Sequence, residues 1–259
     1  MKLKSTECSL KLNNERVSGL QNAIHIEELS KSFKRKRVIK PLSVQIESQK
    51  IYGLLGPSGC GKTTLIKMIV GMMKPDAGGI TVLGKRVPDA SLLSEIGYMA
   101  QSDALYTELT GRQNLEFFAK LYGMSKSERK IRIDYAAEIV QLSNDLDVSV
   151  FAYSGGMKRR LSLAIALIQN PKILILDEPT VGIDPLLKQS IWKELERLKA
   201  EEGKTILITT HVMDEAERCD KIGMLREGEI VAIGTPMEIK AQYHAASLDE
   251  VFVKIGGGH

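Results

Sequence analysis

The sequence contains little of what secreted and membrane-spanning proteins depend on. Its three cysteines, Cys8, Cys60 and Cys219, are an odd number and show no C-x-x-C spacing. This argues against a disulfide framework or a zinc site and favours a reducing compartment. No apolar run approaches the roughly 18 residues that a transmembrane helix needs, and the first residues lack the apolar core of a signal peptide. The sequence therefore predicts a chain that does not itself cross a membrane.

The composition is that of an ordinary globular protein. Hydrophobic residues make up 43% and charged residues 26% of the 259 positions, which suits one large α/β domain or a core with an inserted subdomain. The net charge of +4 is uneven, because residues 1–40 carry ten Lys and Arg against four Asp and Glu. The basic run Lys34-Arg-Lys-Arg37 has the charge to touch nucleic acid or anionic lipid. Charge runs on turns are common, so a solvated loop between two strands is favoured and no nucleic-acid partner is expected.

Short apolar runs alternate with helical periods from about residue 23 onward. Residues 1–22 are polar and are expected to form a flexible N-terminal extension. Apolar runs bounded by Gly, Pro or charged turns predict strands at 24–29, 38–46, 51–55, 80–83, 96–99, 173–176, 205–209, 222–225 and 230–233. Helical periods predict helices at 62–72, 111–122, 126–142, 154–170, 185–200, 214–219 and 237–243.

The organisation of the chain follows from the order of these elements. The middle, about 104–170, is nearly all helical, whereas strands dominate on both sides of it. This pattern predicts an α-helical subdomain inserted into an α/β core with a mixed sheet. We place the folded domain at 23–240 and a C-terminal tail at 241–259, in which Gly256-Gly-Gly-His259 is expected to be flexible.

The strongest local signal is a glycine-rich loop after the strand at 51–55. It matches G-x-x-x-x-G-K-[ST] in full and leads into the helix at 62–72. Its glycines let backbone N–H groups face phosphate oxygens, and the helix directs its positive end at the same oxygens. A lysine there reaches the β- and γ-phosphates, and a hydroxyl beside it is a magnesium ligand. The residues predicted to hold the nucleotide phosphates are Gly56, Pro57, Ser58, Gly59, Cys60, Gly61, Lys62, Thr63 and Thr64, with Thr63 on the metal.

Predictions also follow for three more residues, one within this loop and two after it. The Cys60 thiol lies close to Lys62 and a helix N-terminus, so we expect its pKa to be lowered. Farther along, the apolar run 173–176 ends in Asp177 and Glu178. Carboxylates at the carboxyl end of a parallel strand lie where such sheets bind ligands. We assign Asp177 to Mg²⁺ and Glu178 to a water that attacks the γ-phosphate of ATP.

The run Tyr153-Ser-Gly-Gly-Met-Lys-Arg resembles the signature motif of ATP-binding cassette (ABC) ATPases, which other phosphate-loop ATPases lack. Further resemblances follow in the family's order. Gln101 resembles the Q-loop glutamine, Gly182-Ile-Asp-Pro185 the D-loop, and His211 the switch histidine. Phe33 lies where the family places an aromatic ring. The resemblance covers about residues 23–240 and implies a P-loop NTPase core of the RecA-like kind.

The resemblance also implies a role for each matching residue. Gln101 would contact magnesium and the attacking water, and His211 the γ-phosphate. Phe33 would stack on adenine, and Asp184 would orient the partner's site. Ser154, Gly155 and Gly156 would bind the γ-phosphate of an ATP held by the other subunit. The expected assembly is a head-to-tail homodimer or heterodimer with two ATP molecules between its subunits.

Two features favour one class of ABC protein. Met157 replaces a common glutamine, which suits the drug- and sodium-exporter subgroup, and the 105–122 segment resembles the same subgroup. We therefore predict the ATPase subunit of an exporter. It would work with an integral-membrane permease and lie in the cytoplasm on the inner face of the cell membrane. Leu105, Tyr106, Phe117, Phe118 and Tyr122 are candidates for a groove that receives a helix of the permease. The alternative is a soluble ABC ATPase that acts on ribosomes or DNA. Only the basic N-terminal stretch favours this class.

Overall fold

Two β-sheets form the framework of the protein. The computed structural model describes residues 22–256, so the predicted extension at 1–22 lies almost wholly outside the described residues, as do 257–259. The first sheet has the order β2-β1-β4-β5 and is antiparallel. Its strands are β1 (Asn22–Phe33), β2 (Lys36–Glu47), β4 (Ala77–Val82) and β5 (Lys85–Arg86). Lys34 and Arg35 form an exposed turn between β1 and β2, whereas Lys36 and Arg37, which were expected in the same loop, are exposed residues of β2.

The second sheet carries the residues that concern function. Its order is β10-β9-β3-β8-β7-β6, with parallel pairing throughout except between β9 and β10. The strands are β3 (Ile51–Leu55), β6 (Ile96–Met99), β7 (Ile173–Asp177), β8 (Thr205–Thr210), β9 (Lys221–Arg226) and β10 (Glu229–Gly234). All residues of β3, β7 and β8 are buried. A parallel strand covered on both faces needs such a continuous apolar run.

Eight α-helices lie within the described residues 22–256, besides two short 3₁₀ helices. They are α1 (Lys62–Ile69), α2 (Gly111–Leu121), α3 (Lys126–Ile139), α4 (Gly155–Leu167), α5 (Pro185–Glu202), α6 (Met213–Ala216), α7 (Pro236–Gln242) and α8 (Leu248–Gly256). Side-chain caps start several of them: Thr110, Ser125 and Thr235 each form a capping box with the Gln or Glu three residues on. None of these helices is long and apolar enough to span a bilayer.

Helices α2, α3 and α4 occur together between β6 and β7. They share one core, in which Leu115 of α2, Ile133 and Ala136 of α3, and Leu161 of α4 are buried. That core continues onto the sheet through Leu174 and Leu176. The helices thus lie where the sequence predicts them, and the boundaries of a separate helical subdomain at about 104–170 stay a prediction.

The structure differs from the prediction at the C-terminus. Residues 241–259 were assigned to a tail, yet α8 occupies Leu248–Gly256. Leu248 and Val251 are buried in the main core, and the hydroxyl of Ser247 accepts a hydrogen bond from the backbone N–H of Glu250. The apolar residues recur at helical spacing, so packing against the core stabilises a helix that is too short to form alone.

Candidate nucleotide-binding site

The parallel sheet brings three loops to one edge. Leu55 pairs with Thr210, and Asp177 pairs with Thr209. Strands β3, β7 and β8 therefore end side by side, and the segments that follow them begin at neighbouring points. These segments carry the glycine-rich loop, Glu178 and His211. Ligands of such sheets bind outside the carboxyl ends of the strands.

The glycine-rich loop has a backbone that other residues would not adopt. Gly61 has φ +114°, and a Cβ there would lie 2.5 Å from Ile39 Cδ1 and 3.0 Å from the Val38 carbonyl oxygen. Gly59 has φ +78°. These conformations turn the loop around a cavity lined by Val38, Ser58, Gly59, Gly61, Lys62, Thr63, Thr64, Gln101 and Glu178. With α1 beginning at Lys62, the cavity has the shape and backbone polarity of a phosphate site.

Lys62 places a buried positive charge at this cavity. Its side chain is only 5% exposed. Nζ donates hydrogen bonds to the carbonyl oxygens of Gly56 (2.7 Å) and Pro57 (3.1 Å) and lies 3.6 Å from Glu178 Oε1. A partly desolvated ammonium attracts an anion more strongly than one in water, because the local dielectric constant is lower.

Glu178 lies at the centre of the predicted catalytic residues. Its carboxylate is 3.2 Å from His211 Nδ1 through Oε1 and 3.3 Å from Gln101 Nε2, which donates to Oε2. Its backbone has φ +52°, and its N–H donates to the Thr209 hydroxyl at 3.0 Å. The structure thus joins Gln101, Glu178 and His211, which are far apart in sequence, beside Lys62.

Asp177 has a coordination site that no protein group fills. Its side chain is fully buried, and Oδ1 accepts a hydrogen bond from the Thr209 hydroxyl. Oδ2 is buried and has no hydrogen-bond partner. Such an orphaned carboxylate oxygen is costly unless a ligand satisfies it, and a divalent cation is a ligand that would do so.

No cluster of three His, Cys, Asp or Glu within residues 22–256 could hold a metal by itself.

The expectation for Cys60 is wrong. Burial raises the pKa of its thiol above the ordinary value, and the nearby Lys62 ammonium offsets only part of that shift. The side chain is 6% exposed and belongs to the buried core beside the loop. The thiolate is therefore scarcer than in a free cysteine, because the desolvation cost of the anion exceeds the attraction of the lysine.

We expect Cys60 to resist alkylation in the folded protein near neutral pH. Iodoacetamide followed by peptide mass spectrometry would measure the labelling rate, which should rise steeply in urea. Cys219 is an internal control, because burial raises its pKa as well. Labelling of Cys60 in the native protein at the rate seen in urea would contradict the buried environment.

Other predicted site residues lie away from the cavity. Phe33 is 43% exposed at the end of β1, with Lys31 Nζ at 5.7 Å from its ring centroid. Ser154 caps α4, where its hydroxyl accepts from the Met157 N–H at 3.2 Å. Asp184 caps α5 in the same way. Neither Phe33 nor the stretch Ser154, Gly155 and Gly156 lines the phosphate cavity.

The signature and D-loop residues instead adjoin one another. A Cβ on Gly156 would lie 3.6 Å from the Gly182 carbonyl oxygen, and nothing lies within 4 Å of a Cβ on Gly155. Ser154 and Gly155 are exposed. The start of α4 therefore lies at the surface, and Ser154, Gly155 and Gly156 do not line the cavity of their own chain.

The sequence did not identify two supporting residues. The Thr209 hydroxyl donates a hydrogen bond to the Asp177 carboxylate and accepts one from the Glu178 N–H. Glu215 is 2% exposed, and its carboxylate accepts from the hydroxyls of Thr180 and Thr210 and lies 2.7 Å from Lys188 Nζ. Polar residues inside the apolar strand Thr205–Thr210 were the available signal for Thr209.

Comparison with known proteins agrees with the geometry. A sequence model of the ABC transporter family matches residues 39–181. The chain is 44% identical over 233 residues to the Nod factor export ATP-binding protein I of Rhizobium sp. (strain N33), which covers 89% of this chain and 76% of that protein. A solved ATP-binding subunit of an ABC transporter superposes with a TM-score of 0.83 at 31% identity, over 90% of this chain and 99% of the other.

A second solved structure shows an assembly. It is a dimeric ATP-binding cassette in a post-hydrolysis state, bound to ADP and Pi. The TM-score is 0.77 at 26% identity, over 82% of this chain and 98% of the other.

Proposed function

The chain belongs to the ABC transporter family as an ATP-binding subunit, and on that premise we propose that it hydrolyses MgATP to drive export through a separate integral-membrane permease. The proposal of ATP hydrolysis rests mainly on the convergence of Lys62, Gln101 and His211 on the Glu178 carboxylate at the phosphate cavity. Export is supported by the similarity to Nod factor export proteins. The subunit would lie at the cytoplasmic face of the membrane, held there by the permease.

We assign each residue a step in ATP hydrolysis. The glycine-rich loop from Gly56 to Thr64 binds the phosphates through its backbone N–H groups, and Lys62 binds the β- and γ-phosphates. Glu178 orients the attacking water and accepts its proton. Gln101 and His211 hold the two oxygens of that carboxylate in place, and His211 also faces the γ-phosphate.

Mg²⁺ would be held by Thr63, Gln101 and Asp177, where it neutralises charge that builds up on the phosphate oxygens. Phe33 is proposed to stack on adenine. A test of the whole proposal is phosphate release from MgATP by the purified chain, with EDTA as the blank. The proposal would be refuted if the chain, alone or with the permease, neither bound nor hydrolysed ATP.

We further propose that each ATP is bound by two chains. Two observations support this: Ser154, Gly155 and Gly156 do not line the cavity of their own chain, and a similar ATP-binding cassette is dimeric and bound to ADP and Pi. The signature of one subunit would then face the γ-phosphate in the other, with Asp184 at the same interface.

Mixing two defective subunits tests this arrangement. Lys62→Ala and Ser154→Arg subunits should each fail to form ATP-dependent dimers, because every site contains a defect. In a mixed dimer one site combines an intact loop with an intact signature, so crosslinking should recover an ATP-dependent dimer. Ser127→Arg, an exposed serine in the first turn of α3, is the control and should dimerise normally. No recovery from two folded subunits would exclude the shared site.

The proposed permease contact lies on the 105–122 segment. Leu105 and Phe118 pack against the core, whereas Tyr106 is 46% and Tyr122 38% exposed. The Tyr106 ring packs edge-on against Phe117 with centroids 4.8 Å apart. We propose that this exposed aromatic surface receives a helix of the permease, since aromatic rings lose little entropy on binding.

Tyr106→Ala is expected to weaken co-purification with the permease and to lower permease-stimulated ATPase activity, with basal hydrolysis retained. Met237→Ala, at a residue 75% exposed on α7, is the matched surface control. Wild-type binding and stimulation in the Tyr106 variant would remove this surface from the interface.

A further inference from the structure

Arg159 is a buried cation that no step above uses. It lies on α4, only 6% exposed. One terminal nitrogen, Nη1, donates to the carbonyl oxygens of Ala100 (2.8 Å) and Gln101 (3.0 Å). The other, Nη2, donates to those of Asp177 and Glu178, the latter at 2.7 Å. Four main-chain carbonyls of two loops thus share one guanidinium.

These four carbonyls belong to the segments that carry the proposed catalytic groups. Ala100 and Gln101 follow β6, and Glu178 follows β7, its neighbour in the sheet. Asp103 strengthens the same connection, because its carboxylate accepts from the Ser162 hydroxyl at 2.7 Å and lies 3.5 Å from Arg159. Helix α4 therefore contacts the Gln101 segment through Arg159 and Ser162. It contacts the Glu178 backbone through Arg159.

The geometry of the contact suits arginine better than lysine. A planar guanidinium offers five N–H donors in a fixed fork, whereas an ammonium is a point charge with three. Glu178 has φ +52°, a left-handed conformation that is unfavourable for a residue with a side chain. The hydrogen bond from Arg159 to the Glu178 carbonyl oxygen helps to hold the Glu178 backbone in that conformation. It thereby also helps to fix the direction of the Glu178 carboxylate.

We propose that Arg159 is a positioning residue that sets the places of Glu178 and Gln101 from the signature helix. This rests on the proposed function. Arg159 lies about 7.5 Å along the helix from Ser154, at a rise of about 1.5 Å per residue. A short rigid helix thus joins the N–H groups proposed to face the partner's ATP to the carboxylate that acts on the chain's own ATP. A displacement of α4 at the partner's ATP therefore also moves Glu178 and Gln101 at the chain's own ATP.

Two variants and one control test the role of Arg159 in turnover. Arg159→Met should lower kcat by about 10–100-fold, because a misplacement of about 1 Å can cost on the order of 10²-fold. Binding of a fluorescent ATP analogue should change little, since the glycine-rich loop is intact. Arg159→Lys should restore part of kcat. Arg132→Met is the matched control, because Arg132 also donates to two carbonyls, Leu167 and Ile168, but at the far end of α4; it should retain kcat.

A double variant separates positioning from general destabilisation. If Arg159 acts through Glu178, the kcat loss of Arg159→Met combined with Glu178→Gln should be clearly smaller than the product of the two separate losses. Independent losses, or wild-type kcat in folded Arg159→Met and Arg159→Lys, would overturn the inference. Should the methionine variant not fold, the lysine variant carries the same cycle. A wild-type protein that neither binds nor hydrolyses ATP would instead refute the proposed function.

Discussion

The Glu178→Gln substitution is expected to slow ATP hydrolysis by roughly 10²–10⁴-fold, the usual contribution of a general base. The amide cannot accept the proton of the attacking water, although it keeps the shape of the side chain. Glu178 is 8% exposed and contacts Gln101, His211 and Lys62. A carboxylate dissolved in the solvent therefore cannot replace its side chain. Binding of ATP should persist, because the glycine-rich loop is untouched.

Two measurements check the Glu178→Gln variant. Steady-state phosphate release gives the loss of turnover, and size exclusion with MgATP should show a trapped dimer. Glu196→Gln, at an exposed glutamate of α5, is the matched control and should behave as wild type. Normal turnover in Glu178→Gln would remove Glu178 from the catalytic role.

Loss of the Lys62 side chain is expected to reduce ATP affinity by at least about 10²-fold and to abolish turnover. Hydrogen bonds to charged groups contribute about 1.5–3 kcal/mol each, and Lys62 is proposed to bind two phosphates. It is also the only cation among the described residues that line the cavity. Without it, the phosphates face the Glu178 carboxylate with no buried positive charge between them.

Titration with fluorescent ATP and phosphate release would measure the Lys62→Ala variant. Lys67→Ala is the control, because Lys67 lies in the last turn of the same helix and does not line the cavity. A Lys62→Ala protein with wild-type affinity and turnover would disprove that this loop binds the phosphates of ATP.

Some predictions failed because they concerned packing. The pKa of Cys60 was expected to fall on account of its neighbours in sequence, yet the buried core around the thiol raises it. The α8 helix was missed because nine residues rarely form a helix alone, and its apolar side chains gain free energy only against a core that the sequence does not display. The four carbonyl partners of Arg159 lie 18 to 59 residues away.

The sequence by itself determined the strand–loop–helix from Ile51 to Ile69 and the acidic end of β7. In each case the decisive groups are consecutive residues, so backbone geometry fixes their spacing. Only the tertiary structure decided that Gln101, Glu178 and His211 meet, and that Arg159 joins two loops beneath them. Their positions depend on the parallel register of β6, β7 and β8, which arises from burial of both sheet faces between segments distant in the chain.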